Sequence, residues 1–279
     1  MREKISIITP SYNSGPYLKL CLESVANQNC ETAKHYVMDG GSTDETIAIL
    51  KSFDKSHSNI IWKSEPDKGQ SDALNKAFSL INGDIIGWLN ADDVYAPGAF
   101  NLALNTFRNN PKAVIVYGDY LRIDPKGKVI CYRRQPSFNF KDCLYSYLTV
   151  LNCAAFFSTK AIRTVGGWDN SLRFAMDYDL VLKLAEIGQV VKVPHILGAF
   201  RIHPTSKTST MDDVCQKETQ EVRTKHAKLN GLPNPSVYRY FYHKTNVLRR
   251  MLLEGCLPSR VLIKSPMPFM TGWFKDDHN

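Results

Sequence analysis

Over its first 125 residues the chain alternates short β-branched runs with stretches of helical spacing, and few folds other than βαβ units around a mostly parallel sheet fit that pattern. Lys4 to Thr9 reads as the first strand. Pro16 to Gln28 then carries Leu18, Leu22 and Val25 at the four-then-three spacing of one helix face, giving a crossover helix. Tyr36 to Met38 forms the second strand, stopped by Gly40-Gly41, and Ser42 stands where it would cap a helix through Ile47 and Leu50. Ile60 to Lys63 gives a third strand and Asp72 to Ile81 a helix. Asp84 to Leu89 is an apolar run short enough for a buried central strand, ending at Asn90-Ala91-Asp92-Asp93.

Beyond this point the parallel order breaks. Val114 to Tyr117 is a strand, and Asp124-Pro125-Lys126-Gly127 turns the chain back into Val129 to Tyr132, so the sheet becomes mixed. Asp177 to Ile187 has Leu180, Leu184 and Ile187 on one helix side and Gly188 as its stop, and Val190 to Val193 returns as a strand. Asn230-Gly231-Leu232-Pro233-Asn234-Pro235 is dense in turn formers. It divides the chain into a main domain over 1–229, itself made of 1–125 and 126–229, and a basic helical tail over 230–279.

A chain of 279 residues can bury a sizeable core without disulfides, and its seven scattered cysteines include no C-x-x-C pair of the kind zinc or redox sites use. They read as reduced thiols of a cytoplasmic protein. The first residues lack the long apolar region of a secretion signal, and no window holds the roughly 18 to 20 apolar residues of a membrane span. Residues 223–264 contain nine Lys or Arg against the single acid Glu254, an excess equal to the net charge of +8 of the whole chain. The remainder of the chain, outside 223–264, is therefore neutral, which argues against a nucleic-acid groove through the main domain and points the basic end toward an anionic surface.

Ligands of open α/β sheets settle outside the carboxyl ends of the strands, where this chain places Asp39, Asp92 and Asp93. Acids leaving a buried strand into the Pro97-Gly98 turn can converge on a hard cation, and oxygen ligands suit magnesium or manganese. Such ions take one or two protein carboxylates and fill the rest of their shell with substrate phosphate and water, so a diphosphate ligand fits. A solvated loop or a helix cap is the other reading of two adjacent Asp residues before a turn.

Three segments in succession, Ile7-Ile8-Thr9-Pro10-Ser11-Tyr12-Asn13, Asp39-Gly40-Gly41-Ser42-Thr43-Asp44 and Leu89-Asn90-Ala91-Asp92-Asp93, resemble the motifs of the family 2 glycosyltransferases. The resemblance covers about residues 4–210 in the family's order. It implies a GT-A fold, a Rossmann-like mixed central sheet flanked by helices, and an inverting enzyme that uses a divalent cation, Mn2+ or Mg2+. It makes Pro10, Tyr12 and Asp39 part of the wall for the donor's base and ribose, with Asp72 and Asn75 nearby. For Tyr12 core packing, and for Asp72 a helix N-cap, stand as alternatives. The family's metal motif is usually Asp-x-Asp; with Asn90 in its first position, Asp92 carries most of the coordination, Asp93 assists, and Asn90 and Ala91 face the donor. Many members have a further Asp where this chain has Gly40.

Inversion needs a carboxylate on the face opposite the leaving diphosphate. Gly166-Gly167-Trp168-Asp169 and Ala175-Met176-Asp177-Tyr178-Asp179-Leu180 are similar to the family's acceptor loop and base helix, which makes Asp177 the base; N-capping of that helix is the other reading. Trp168 either stacks on an acceptor sugar or packs in the core. Asp179, two residues on and on another face, is structural. Phe200-Arg201-Ile202-His203-Pro204-Thr205-Ser206-Lys207 resembles the segment that closes over the diphosphate. There Arg201 and Lys207 neutralise phosphate and His203 completes the metal shell.

The expected function is transfer of a hexosyl or N-acetylhexosaminyl unit from a nucleotide diphosphate sugar to a hydroxyl of a glycan or lipid-linked acceptor in surface polysaccharide biosynthesis. A catalytically inactive nucleotide-binding or membrane-associated scaffold of the same fold is the alternative. A nucleotidyltransferase would need a Gly-rich loop after the first strand, and Ser11-Tyr12-Asn13-Ser14-Gly15 has one glycine; the phosphate-loop pattern is absent. In the tail, Val237 to Leu253 mixes basic and aromatic residues as an amphipathic helix on anionic lipid does, so residues 235–264 are expected either to bind the inner face of the cell membrane or to pack their apolar side on the main domain.

Overall fold

The computed structural model describes residues 3–207 and 212–236, together with 238, 239 and 242. Four strands follow the expected βαβ order: β1 (Ile5–Ser11), β2 (Ala33–Asp39), β3 (Ile60–Ser64) and β4 (Ile85–Trp88), linked by α1 (Gly15–Ala26), α2 (Thr46–Asp54) and α3 (Gln70–Ser79). β1 lies between β2 and β4, and β3 pairs the far side of β2, all parallel. β1, β2 and β4 are buried on both faces because helices cover both, as parallel sheets require, while β3 is the more exposed edge strand.

The second half closes and mixes the sheet. β5 (Val94–Tyr95) and α4 (Ala99–Asn109) precede β6 (Ala113–Ile123) and β7 (Val129–Arg133), which pair antiparallel across the expected Asp124–Gly127 turn. α5 (Phe140–Tyr145) and a short 3-10 turn at Asn152–Ala154 lead into β8 (Ala155–Ser158), α6 (Thr159–Thr164), α7 (Met176–Ile187), β9 (Gln189–Arg201) and α8 (Asp212–Leu229). The strand order is β3-β2-β1-β4-β8-β6-β9-β5, with β7 on β6. The mixed α/β architecture is as expected, but parallel order breaks earlier than the β6–β7 turn, because β8 inserts antiparallel between β4 and β6.

Helices pack on both faces. Leu18, Leu22 and Val25 of α1, together with α4, cover one side, while α3, α5, α6, α7 and α8 cover the other around Trp88, Tyr117, Phe157 and Leu182. Ser42 does not cap α2 as expected. Its hydroxyl donates to Asp39, and Asp44 instead accepts the N–H groups of Thr46 and Gly15, tying the starts of α2 and α1 together. Among the described residues no disulfide forms and no helix is long and apolar enough to cross a membrane.

The expectations for residues 235–264 fall largely outside the described residues. Where the tail is described it touches the main body: Tyr238 and Tyr242 pack their rings on Tyr145 of α5, at centroid distances of 4.9 and 5.2 Å, and the Tyr242 hydroxyl donates to Asp142.

Candidate active site

The carboxyl ends of β1 and β4, the start of α3, the loop into α7 and the segment after β9 border one cavity of about 790 Å³. Pro10 and Tyr12 extend from β1 into its wall, and Tyr12 is 64% exposed, which excludes the core-packing alternative for its ring. Asn90, Ala91 and Asp92 contribute from the loop after β4, Asp177 from the first turn of α7, and His203 and Lys207 from the segment after β9. Eight of the residues singled out in the sequence thus share one cavity, although they span nearly 200 positions of the chain.

Two bridges hold this cavity's wall together. His203 Nε2 lies 3.0 Å from Asp92 Oδ2, while the His203 ring packs 4.6 Å from that of Tyr17. Gln70, at the start of α3, donates to Asn90 Oδ1 at 2.8 Å and accepts from Lys207 Nζ at 2.9 Å, so the two loops are joined through one side chain. Sequence reasoning passed over Gln70, since a single amide in a polar segment carries no pattern.

Asp177 is half-buried on the cavity wall, and loss of water around its carboxyl pushes its pKa up to about 6. It is not an N-cap: α7 starts at Met176 with Ala175 in the cap position, and no side chain caps it. A carboxylate that titrates near neutrality in a cleft is suited to accept a proton. Behind it, Glu218 of α8 accepts the backbone N–H groups of Arg173, Phe174 and Ala175 at 2.7 to 3.1 Å, fixing the loop that delivers Asp177.

For a divalent cation, Asp92 and His203 offer an oxygen and a nitrogen ligand side by side on the wall. Among the described residues no three His, Cys, Asp or Glu groups converge on a complete site. The pair fits an ion that leaves most of its shell to phosphate and water.

Residues 6–159 match the family model described as Glycosyl transferase family 2. The chain belongs to that family. Among its relatives are a chondroitin synthase of Escherichia coli, 33% identical over 184 residues, and a hyaluronan synthase of Pasteurella multocida, 29% identical over 188. Each alignment takes in 66% of this chain but only 27% and 19% of those proteins, so the chain spans less than a third of either. The GT-A fold is likewise that of S. aureus TarS 1–349 in complex with UDP, with TM-score 0.63 and 16% identity over 89% of this chain and 72% of that one. The mannosyltransferase PcManGT from Pyrobaculum calidifontis, in complex with GDP-Man and Mn2+, gives TM-score 0.60 and 17% identity over 87% and 70%.

Several residues expected on the family's donor wall do not line this cavity and are bonded within the protein instead. Asp39 is 2% exposed and off the cavity; its carboxylate accepts from Gly41 N, Ser42 N, Ser42 Oγ and Ser64 Oγ, so it shapes the loop after β2. Asp72 accepts the Lys68 N–H and pairs with Lys76, and Asn75 clasps the backbone of Trp168 and the side chain of Asn170. Neither lines the cavity.

Asp93 and Arg201 are each 0% exposed and face inward. Asp93 Oδ1 accepts the Arg201 N–H, and burial with the neighbouring Asp92 charge pushes its carboxyl well up, so in this structure its side chain is turned to the interior and away from the cavity wall. The Arg201 guanidinium donates to the carbonyls of Asp92, Asp124 and Pro125 and lies over the Tyr17 ring. It braces the loop carrying Asp92 and is not presented to a phosphate. Trp168, 3% exposed, stands edge-on to Trp88 and Phe78 in the core, which removes it from acceptor stacking.

Gly40, where the family pattern often has Asp, has its compensation in space. A Cβ there would lie 2.8 Å from Oδ2 of Asp67, a residue on the cavity wall held by the Gly69 N–H. Asp67 thus occupies the place that a side chain at position 40 would need.

Proposed function

We propose that this family 2 glycosyltransferase transfers a hexosyl or N-acetylhexosaminyl unit, with inversion, from a nucleotide diphosphate sugar to a hydroxyl of a glycan or lipid-linked acceptor in surface polysaccharide synthesis. The observation that carries the reading is that the Asp92–His203 pair and Asp177 line a single cavity whose rim is the Pro10–Tyr12 segment. The presence of UDP and of GDP-Man with Mn2+ in proteins of this fold supports the donor class, and relatives named chondroitin and hyaluronan synthase support the polysaccharide context.

In this reading Pro10, Tyr12 and Asp67 hold the base and ribose, and Asn90 with Ala91 lines the path to the sugar. Asp92 and His203 would hold Mn2+ or Mg2+, which supplies positive charge to the donor's pyrophosphate. Lys207 adds a second cation on the same wall. Asp177 accepts the acceptor hydroxyl's proton as that oxygen bonds to the anomeric carbon, while the bond from that carbon to the diphosphate oxygen breaks and the nucleoside diphosphate leaves. Attack from the face opposite the leaving group inverts the centre, and no covalent intermediate forms.

A cytoplasmic enzyme, peripheral at the inner membrane face, is the setting in which donor and lipid-linked acceptor meet. The test is calorimetric titration of the protein with UDP-, GDP- and dTDP-sugars in the presence and absence of Mn2+, followed by assay of nucleoside diphosphate release. Metal-dependent binding of one donor, with slow hydrolysis that disappears in Asp177→Asn, supports the reading. Failure of every nucleotide to bind with Mn2+ or Mg2+ overturns it.

A further inference from the structure

The donor reading uses the half of the cavity beneath β1, β4 and α3, and leaves the half formed by β6, β9 and the turn before β8 without a role. On β6, Tyr120 and Arg122 alternate with Leu121 and Ile123, which are buried against β5 and β9; Tyr120 and Arg122 instead line the cavity, as does Phe200, the register partner of Arg122 on β9. The 152–154 turn sits on this face. A Cβ at Gly198, the register partner of Tyr120, would lie 2.0 Å from the Cys153 carbonyl oxygen, so Leu151 and Asn152 are brought over Tyr120, Arg122 and Phe200.

Two N–H donors here have no acceptor among the described residues: Arg122 Nε and Asn152 Nδ2, both buried, with Asn152 only 6% exposed. Arg122 forms no ion pair among the described residues, and Arg133, the register partner of Tyr120 on β7, adds positive charge nearby. Tyr120, Leu151 and Phe200 pack on the core and form an apolar floor. A half-buried guanidinium over an apolar floor is costly unless an anion completes it, and a charge-assisted bond is stronger there than in water.

We infer that Arg122 and Asn152 form an oxyanion-binding subsite for the acceptor, so that the molecule to be glycosylated carries a carboxylate or a phosphate close to its reacting hydroxyl. The inference rests on the glycosyltransferase reading for the word acceptor. The sheet order supports it: β6 and β8 lie across β4 from β1 and β2, where the donor's base is placed, so the subsite is on the far side of Asp92 from the nucleotide. The apolar floor fits a sugar ring face, and the two donors fit an acid group on its edge.

The experiment uses the full chain with UDP and Mn2+, and without them. Saturation-transfer NMR and calorimetry compare methyl β-glucuronide, glycerol 1-phosphate and uncharged methyl β-glucoside. The anionic probes should bind about 10- to 100-fold more tightly than the neutral one, and the better of the two anions identifies carboxylate or phosphate as the source. Arg122→Gln should remove the preference and leave UDP affinity unchanged. Asn152→Asp, nearly isosteric, should remove it too, by presenting a carboxylate to Arg122, so a folding defect in one variant does not decide the outcome.

Equal binding of charged and neutral probes, or an anion preference that survives both substitutions, overturns the proposal. So does displacement of the anions by UDP, which would assign Arg122 to the donor. If UDP does not bind but the anion preference is present and lost in the variants, the donor reading fails while the subsite stands.

Discussion

His203 Nε2 stands 3.0 Å from Asp92 Oδ2 although 111 positions separate them, joining the segment after β9 to the loop after β4 at the site proposed for a divalent ion. Arg201 backs this contact from the interior by donating to the Asp92 carbonyl at 2.7 Å. The ligand pair is thus held by bonds that do not themselves need the metal.

Asp92→Ala should therefore abolish metal-dependent nucleotide binding while leaving the fold intact, because its carboxylate is partly exposed and the backbone bond from Arg201 survives. With nucleotide at 100 times its dissociation constant, wild type gains about 2.7 kcal/mol of stability. A thermal-shift assay with UDP, GDP and Mn2+ reads that gain. A full Mn2+-dependent shift in Asp92→Ala would remove this residue from the site.

Asp177→Asn should lower turnover roughly 10²- to 10⁴-fold and spare donor affinity, since a general base acts on the acceptor. The pH profile follows from the carboxyl's pKa of about 6: the rate falls as pH drops through that value and the base becomes protonated. Stability carries the opposite sign. A carboxyl whose folded pKa is raised binds its proton more tightly folded than unfolded, so stability is fully present below the unfolded value and is lost as pH rises through about 6. Asp177→Asn should consequently be more stable than wild type at pH 8, by about 1–2 kcal/mol after allowing for solvent at this half-buried group. Calorimetry at pH 5 and pH 8 checks it; an equal change at both pH values refutes the linkage.

Glu218 offers a way to disturb the base without touching it. Its carboxylate accepts three successive N–H groups, of Arg173, Phe174 and Ala175, just before Asp177. Glu218→Ala leaves these donors without their acceptor and should cost about 1–3 kcal/mol, with kcat lowered and donor affinity kept. Glu218→Gln, retaining one acceptor oxygen, should recover part of both. An alanine variant with wild-type melting temperature and kcat would mean that the loop holds itself.

The first half of the fold is legible because its information is local: β4 is a continuous apolar run, β1 and β2 are built around Ile5, Ile7 and Ile8 and around Tyr36-Val37-Met38, and α1 repeats Leu18, Leu22 and Val25 on one face. β8 escapes notice because Ala155-Phe156-Phe157-Ser158 is four residues long and its role depends on which strands flank it. α8 escapes for another reason. It attaches through Glu218, Arg223 and His226 as much as through Val222 and Ala227, so its apolar period is weak. In the site, Asp92 is picked out by its place after a strand and Asp177 by its resemblance to the family's base motif, but Asp39, Asp93 and Arg201 are picked out in the same two ways and point inward. Motif order places a residue near a cavity, while the direction of its side chain is set by the hydrogen bonds that packing offers.

Asp179 shows how much that polar attachment of α8 matters to the base helix. It is 1% exposed on α7, and its carboxylate meets His226 Nε2 at 3.1 Å and Lys225 Nζ at 3.0 Å from α8, and Lys183 Nζ at 2.5 Å. His226 Nδ1 reaches Glu186 at 2.7 Å, so α7 and α8 are joined by a buried charged clamp. Although burial alone would raise the Asp179 pKa, bonds from His226 and the two lysines overcome it and hold the carboxyl well below its usual range. For a depressed carboxyl, stability is present above the unfolded pKa of about 3.9 and is lost as pH falls through that value toward the folded one. Asp179→Asn leaves three donors around a neutral amide and should cost about 3–5 kcal/mol at pH 7. The deficit should shrink as pH is lowered from 5 toward 2, because wild type loses its carboxylate over that window and the variant has none to lose. Urea unfolding followed by circular dichroism across that range measures the difference directly, and a gap independent of pH would mean that the clamp's charge contributes nothing to the fold.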